Sequence, residues 1–367
     1  MEQLINSSTK ITQREIGSSY DTELVLSGEE LEKTRHNIER GKFLGGSYYA
    51  ETMISGAPGK KNEDSYAILP MGKGRTLFAL LDGATSQKKN KSLDELGMSG
   101  AFYISHLTSM RFPESQDFAD LCRLDDLIAK DILMISNRWI FNKLQKVPGV
   151  DYSDVCTIPG MAAAFVLVDV PNQKMTVAQV ADTCIALIGQ SGGVEIASND
   201  TNAKFDAETM AYASEISKTF GISLAQIRKH VEANELLHAH LRDSFRRKIN
   251  TPNGCGILNG MSEMERNNLY YTNEFKLDGR IKEVLLYSDG ATQPYTGGKV
   301  RPEEAVMGLH SVFNLNNNGN SVIDVGISIL DNDPDFVKIP RLKHRDDSTV
   351  IKIDLDYKGI RSLPLAG

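Results

Sequence analysis

Apolar and polar positions change rhythm several times along this chain. Residues 1–45 are polar with no sustained period, and they read as an arm packed on the main domain. Within that arm "SGEELEKTRHNIER" predicts a short surface helix, with Ser27 as its cap and Glu30 three residues on. From about residue 46 the signal turns to β-structure. "SYYAETMIS" and "DSYAILPM" are rich in strand formers, "GKGR" marks a break, and "TLFALLDG" is a continuous apolar strand. Across 91–145 apolar residues recur at three- and four-residue steps in "LGMSGAFYISHLTSM" and "LDDLIAKDILMISNRWIFNKLQ", which predicts helices. Three strands come next, "MAAAFVLVDV", "KMTVAQVAD" and "TCIALIG". Residues 205–249 are helical again, with Leu224, Ile227, Val231, Leu237, Leu241 and Phe245 as one rough apolar stripe. "EVLLYSDG" is another apolar strand and "RPEEAVMGLHSVF" a helix with Pro302 near its start. "SVIDVGISIL" fits helix or strand, and "DDSTVIKIDL" is the last strand.

Strands, helices, strands, helices, strands is not the alternation of a parallel sheet. It predicts an α+β fold with helices layered over antiparallel sheets. No linker rich in Pro, Gly or Ser divides the chain. The organisation expected is an arm at 1–45, one domain over 46–357 with a helical insertion near 205–250, and a tail at 358–367.

Bulk properties narrow the function. The chain has 367 residues, 41% of them hydrophobic, enough for a large core. A formal charge of −7 with both signs interspersed argues against broad nucleic-acid binding. No apolar run approaches the roughly 20 residues a membrane helix needs, and no secretory signal opens the chain. Cys122, Cys156, Cys184 and Cys255 form no CxxC pair, so reduced thiols in a cytoplasmic protein are expected, not a disulfide frame or a zinc site.

The candidate chemistry lies at strand ends. "LDGAT" (81–85) and "SDGAT" (288–292) each put an Asp-Gly pair behind an apolar run, and each alone reads as a favoured turn. Asp82, Asp289 and Asp346 each stand at the tip of a strongly apolar strand. On a shared rim, three carboxylates need a counter-charge, and oxygen ligands of this kind suit Mg²⁺ or Mn²⁺ better than zinc. Gly83 has no side chain, so its carbonyl can approach an ion.

Taken in order, "NEDSYAI", "LFALLDG", "GMAAAFVLV", "VAQVADTCIALI", "VLLYSDGAT" and "RDDSTVIKI" resemble the metal-dependent type 2C protein phosphatases, bacterial members above all, over about residues 46–355. The resemblance implies an α/β/β/α sandwich of two mainly antiparallel sheets, with a site for two Mn²⁺ or Mg²⁺ ions at one end. By position, Asp82 matches the carboxylate that bridges both ions and Gly83 the backbone ligand. Asp289 and Asp346 match the carboxylates that hold one ion. Glu63 and Asp64 match an acidic pair that binds mainly through water, and Asp182 a residue that helps hold a third ion in some members. The activity implied is hydrolysis of phosphoserine and phosphothreonine in a phosphorylated protein substrate, by attack of a metal-bridging water. Such chemistry needs no Ser, Cys or His nucleophile.

Two places depart from the family pattern. Many members follow the first Asp-Gly with His-Gly-Gly, where this chain has Ala84 and Thr85. Many also carry a phosphate-binding Arg where Gly59 stands; Lys60 and Lys61 are the adjacent cations that can substitute for it, as point charges without a bidentate fork. A phosphatase fold that binds a phosphorylated partner without turnover, and a phosphatase of small phosphate esters, are the competing readings. "DNDPDF" (331–336) lacks the Gly of a calcium loop, and "ELLH" (235–238) lacks the second copy of a di-iron bundle. The basic cluster "FRRKIN" is a solvated helix end or a contact for a phosphorylated partner, and His344 and Arg345 are expected to pair with Asp347, with contact to substrate phosphate as the alternative.

Overall fold

The run Leu77–Leu81 is apolar at every position, so a strand built from it needs cover on both faces. The computed structural model describes residues 36–55, 60–84, 88, 90–296, 301–315 and 321–361, and shows that cover. In chain order the strands are β1 (His36–Phe43), β2 (Gly46–Met53), β3 (Asp64–Pro70), β4 (Arg75–Ala84), β5 (Gly160–Asp169), β6 (Lys174–Val180), β7 (Cys184–Gly189), β8 (Val194–Ile196), β9 (Tyr271–Lys276), β10 (Ile281–Tyr287) and β11 (Ser348–Leu355). They make a six-stranded sheet, β1-β2-β11-β10-β7-β8, and a five-stranded sheet, β3-β4-β5-β6-β9, antiparallel throughout.

Period-two alternation sorts the side chains into layers. Phe78 and Leu80 of β4 face inward with Val166 and Val168, onto Val284, Leu286, Ile351 and Ile353 of the other sheet. Leu77, Ala79 and Leu81 face outward onto α1 (Gly100–Arg111) and α2 (Ala129–Leu144), where Phe102, Leu107, Ile132 and Trp139 cover them. Each such side chain, taken fully out of water, contributes roughly 1.5–3 kcal/mol. A smaller helical unit comes next, α3 (Ala203–Phe220) and α4 (Val231–His240), with its own core of Ala213, Ile216, Ile227, Ala233 and Leu237. On the outer face of the six-stranded sheet, α5 (Pro302–Leu315) and α6 (Val322–Asp331) pack against Ala186, Ile188, Leu285 and Val350. The result is the α/β/β/α sandwich, of α+β class. Among the described residues no helix is long and apolar enough to cross a membrane.

Two local expectations are corrected, and one open element is settled. Of the helix expected over 27–40, residues 27–35 lie outside the described residues, and His36–Arg40 are strand. The full ladder with β2, from His36 opposite Met53 to Phe43 opposite Gly46, overrides a helical pattern whose apolar face is thin. The stripe over 224–245 is broken, since Val231 is 71% exposed and Phe245 packs on Phe205 instead. "SVIDVGISIL" resolves as helix α6, which buries Val322, Ile323, Gly326 and Leu330 on one side. After β11 the chain makes a helical turn, Tyr357–Arg361, whose Ile360 joins the core between the sheets; the rest of the expected tail lies outside the described residues.

Candidate metal centre

The strand registers bring the acids to one rim. Asp64 opens β3 directly opposite Asp82 near the end of β4. Asp82 lies opposite Ala162 at the start of β5, and Ala163 opposite Val180 at the end of β6. The chain then crosses to the other sheet through Ala181, Asp182 and Thr183 and starts β7 at Cys184. Cys184 faces Tyr287 at the end of β10, and Tyr287 faces Val350 near the start of β11. Asp289 comes after β10 and Asp346 and Asp347 precede β11, so both sheets deliver carboxylates to the same end of the sandwich.

The acids act on one another. Asp64 is buried, and its Oδ2 accepts a hydrogen bond of 2.8 Å from Ser288 Oγ. Burial, with Asp347 and Asp346 nearby, pushes its pKa up to about 7. Lost hydration holds Asp82 well above the carboxylate range, reinforced by Asp64, Asp289, Asp182 and Asp346. Asp289 is raised in the same way, with Asp346 and Asp182 as its anionic neighbours. Asp182 is raised by lost hydration, against which Asn202 Nδ2 donates to its Oδ2 at 2.7 Å.

Glu63 is oriented by Ser99 Oγ, which donates to Oε1 at 2.6 Å. Gly83 continues β4 and is not a turn residue; its N–H donates to Glu63 O at 3.1 Å. A Cβ on Gly83 would sit 2.7 Å from the carbonyl oxygens of both Ala101 and Glu63, so the position needs glycine for space.

The cations expected at the site are engaged. Lys60 Nζ donates to Asp347 Oδ2 at 2.9 Å and lies 3.4 Å from Glu63 Oε2. Burial opposes the Lys60 charge, but Asp347, Glu63 and Asp346 outweigh it and raise its pKa. Lys61 sits over the Phe102 ring at 4.9 Å, and burial lowers its pKa. His344 and Arg345 do not pair with Asp347. Both bond Asp331, His344 at 3.2 Å and Arg345 Nε at 2.9 Å, because the chain turns back along the end of α6.

Several participants escape sequence reasoning. Asp347 is buried and accepts Ser55 N at 2.7 Å and Glu63 N at 2.8 Å, tying three chain segments together. Lys343 Nζ donates to Asp346 Oδ2 at 2.6 Å. Burial works against that charge, while Asp346, Asp289 and Asp82 raise its pKa further than burial lowers it. Arg246, from the "FRRKIN" cluster, has its pKa lowered by burial, with Asp182 and Glu63 acting the other way. The doubled acid "DD" at 346–347 is the one signal in the sequence that marks Asp347, and nothing marks Ser288 or Ser99.

Among the described residues no three His, Cys, Asp or Glu side chains are arranged to hold an ion as they stand. The donor chemistry nevertheless fits a hard divalent cation. The donors are oxygens alone, and Asp82 and Asp289, short of hydration and in the field of neighbouring carboxylates, are groups that a divalent cation would stabilise in charged form.

Three solved structures of bacterial serine/threonine phosphatases align with the chain. Stp1 from Staphylococcus aureus aligns over 87% of this chain and 99% of its own, at 16% identity and a TM-score of 0.44. The S. agalactiae serine/threonine phosphatase aligns over 87% and 100%, at 14% identity and a TM-score of 0.45. The Mycobacterium tuberculosis serine/threonine phosphatase PstP/Ppp aligns over 84% and 98%, at 15% identity and a TM-score of 0.45. None of the curated proteins compared with the chain matches it. The sequence profile described as Protein phosphatase 2C matches residues 57–314, well over half of the chain. The chain belongs to the protein phosphatase 2C family, whose members are metal-dependent phosphatases.

Proposed function

We propose that this chain hydrolyses phosphoserine and phosphothreonine in proteins, using two Mg²⁺ or Mn²⁺ ions held by Asp82, Gly83, Asp289, Asp346 and, through water, Glu63 and Asp64. Asp182 would serve a third. The observation that carries the reading is the meeting of carboxylates from both sheets at one rim, each in the field of the others. Two such ions, when bound, supply a water of lowered pKa, hold the phosphoryl oxygens and offset the charge that develops during transfer.

The chain's own groups prepare the place. Ser288 fixes Asp64, Ser99 fixes Glu63, and Asp347 clamps the backbone of Ser55 and Glu63. Lys60 and Lys61 would be the cations that meet the substrate phosphate, and Arg246 adds its charge near Asp182 and Glu63. The four cysteines are free, in keeping with a cytoplasmic setting.

A second reading draws on Lys60 and Lys343. Their ammonium groups already neutralise part of the acidic rim, as in a module that binds a phosphorylated partner without turnover. A panel of phosphoserine and phosphothreonine peptides and phosphorylated metabolites, offered with Mn²⁺ or Mg²⁺, separates these. Ion-dependent release, faster from the peptides, is expected. Faster release from metabolites would move the substrate to small esters. Peptide binding with no release from any substrate would establish the silent module.

A further inference from the structure

We propose that Lys343 is a built-in counter-ion of the carboxylate rim: in the metal-free protein its ammonium occupies Asp346, and a divalent cation binds there by displacing it. This rests on the reading of the rim as a metal centre. The first ground is the contact itself, 2.6 Å from Lys343 Nζ to Asp346 Oδ2. Asp346 is also 4.0 Å from Lys60 Nζ, but that ammonium is held by Asp347, so Lys343 is the closer charge on Asp346.

The second ground is that the lysine is delivered by a built loop. Residues 332–347 connect α6 to β11, and their fold centres on a buried ion pair between Arg341 and Asp333. Arg341 donates to Asp333 Oδ2 at 2.8 Å and to the carbonyls of Ile339, Asp333, Leu330 and His344 at 2.8–3.0 Å. Asp333 accepts the backbone N–H groups of Val337, Lys338 and Ile339 at 2.9–3.0 Å. Phe336, with a left-handed φ of 61°, lies under the Arg341 guanidinium at 4.1 Å. Beyond Lys343, His344 and Arg345 are pinned to Asp331. Lys343 therefore stands between anchored neighbours on both sides, and its position is set by the loop.

The third ground is access. The Lys343 side chain as a whole is 46% exposed although its ammonium end loses hydration against the acids, so its flexible stem can withdraw into solvent when an ion takes Asp346. The ammonium takes up a lone pair of Asp346 Oδ2 and its charge repels a divalent cation brought to the same carboxylate, so ammonium and metal compete. Displaced, the ammonium remains tethered beside the acids.

The test is calorimetric titration of the full chain with Mn²⁺, together with thermal unfolding in a chelator and in saturating Mn²⁺. Lys343→Gln is expected to bind Mn²⁺ about tenfold more tightly than the parent protein. Lys343→Arg, which keeps the charge, should show no such gain. Lys276→Gln removes the same charge from the end of β9, away from the rim, and should stay within about twofold. In chelator Lys343→Gln should unfold at a lower temperature than the parent, and the deficit should vanish in saturating Mn²⁺. Equal or weaker Mn²⁺ binding by Lys343→Gln would overturn the counter-ion role while leaving the metal centre intact. Absence of Mn²⁺ binding by every variant would overturn both.

Discussion

The stretch Asp-Gly-Ala, followed by Thr in both copies, occurs twice at this rim and folds two ways. In the five-stranded sheet Asp82, Gly83 and Ala84 stay in strand, paired with Ala162, Met161 and Gly160. In the six-stranded sheet Asp289–Thr292 is a single helical turn. The preceding residue and the neighbouring chain make the difference. Leu81 is a buried outward-facing strand residue, locked under α1 and α2. Ser288 turns its hydroxyl to Thr349 N, accepting at 3.0 Å, and donates to Asp64, so the ladder ends there and the helical turn begins. Both copies need glycine for closeness to another backbone, not for positive φ. A Cβ on Gly290 would meet Asp347 O at 2.1 Å, as one on Gly83 would meet two carbonyls. The sheet environment, not the repeated stretch, decides the local conformation, and both conformations deliver an Asp to the same place.

Breaking the first copy should cost most. Leu81→Ala removes a fully buried side chain and should destabilise by roughly 2–5 kcal/mol in urea unfolding at constant m-value. A loss below about 1 kcal/mol would mean that this strand end is not locked by packing.

The helix behind that copy adds a pH signature. His106 of α1 is buried, donates from Nε2 to Asn62 O at 2.8 Å, and is lowered by burial from 6.5 to about 4. It stays neutral in the fold while the unfolded chain takes a proton below about 6.5, so its contribution is complete above that pH. It is lost as pH falls toward about 4, by roughly 3 kcal/mol in all. The rim carboxyls raised by burial, Asp64 among them, act in the opposite direction over the same range, so the His106 effect is read as the difference in urea midpoint between parent and His106→Gln, which should move against the parent as pH falls from about 7 to 4.5.

Gly290→Ala, against Asp347 O, should cost about 1–3 kcal/mol or more. Thermal unfolding in chelator checks it, with Gly83→Ala as the milder of the pair. Ser288→Ala should cost about 1–2 kcal/mol, because Thr349 N–H loses its side-chain acceptor and Asp64 its donor. If it costs nothing, the serine is not what ends the ladder.

Much of this was legible in the sequence. Apolar runs and period-two alternation announced β4, β5, β6, β7, β10 and β11, and Asp82, Asp182, Asp289 and Asp346 stood out as acids at strand tips. What stayed hidden depends on distant partners. β1 is strand only because β2 lies beside it, and Asp-Gly-Ala takes two shapes because two different chain segments flank it. Asp347 and Lys343 become visible only once the 332–347 loop is folded around Arg341, a set of bonds to carbonyls that carries no sequence signature.

The most direct test of the central claim is phosphate release from an aryl phosphate, titrated with Mn²⁺ and Mg²⁺, for the parent chain, Asp82→Asn and Asp289→Asn. If carboxylates from both sheets hold the ions of one centre, release needs the divalent ion and falls by about a hundredfold or more in each variant, although the two residues sit in different sheets and different local conformations. Full ion-dependent release from either variant would show that its copy of Asp-Gly-Ala-Thr stands outside the centre.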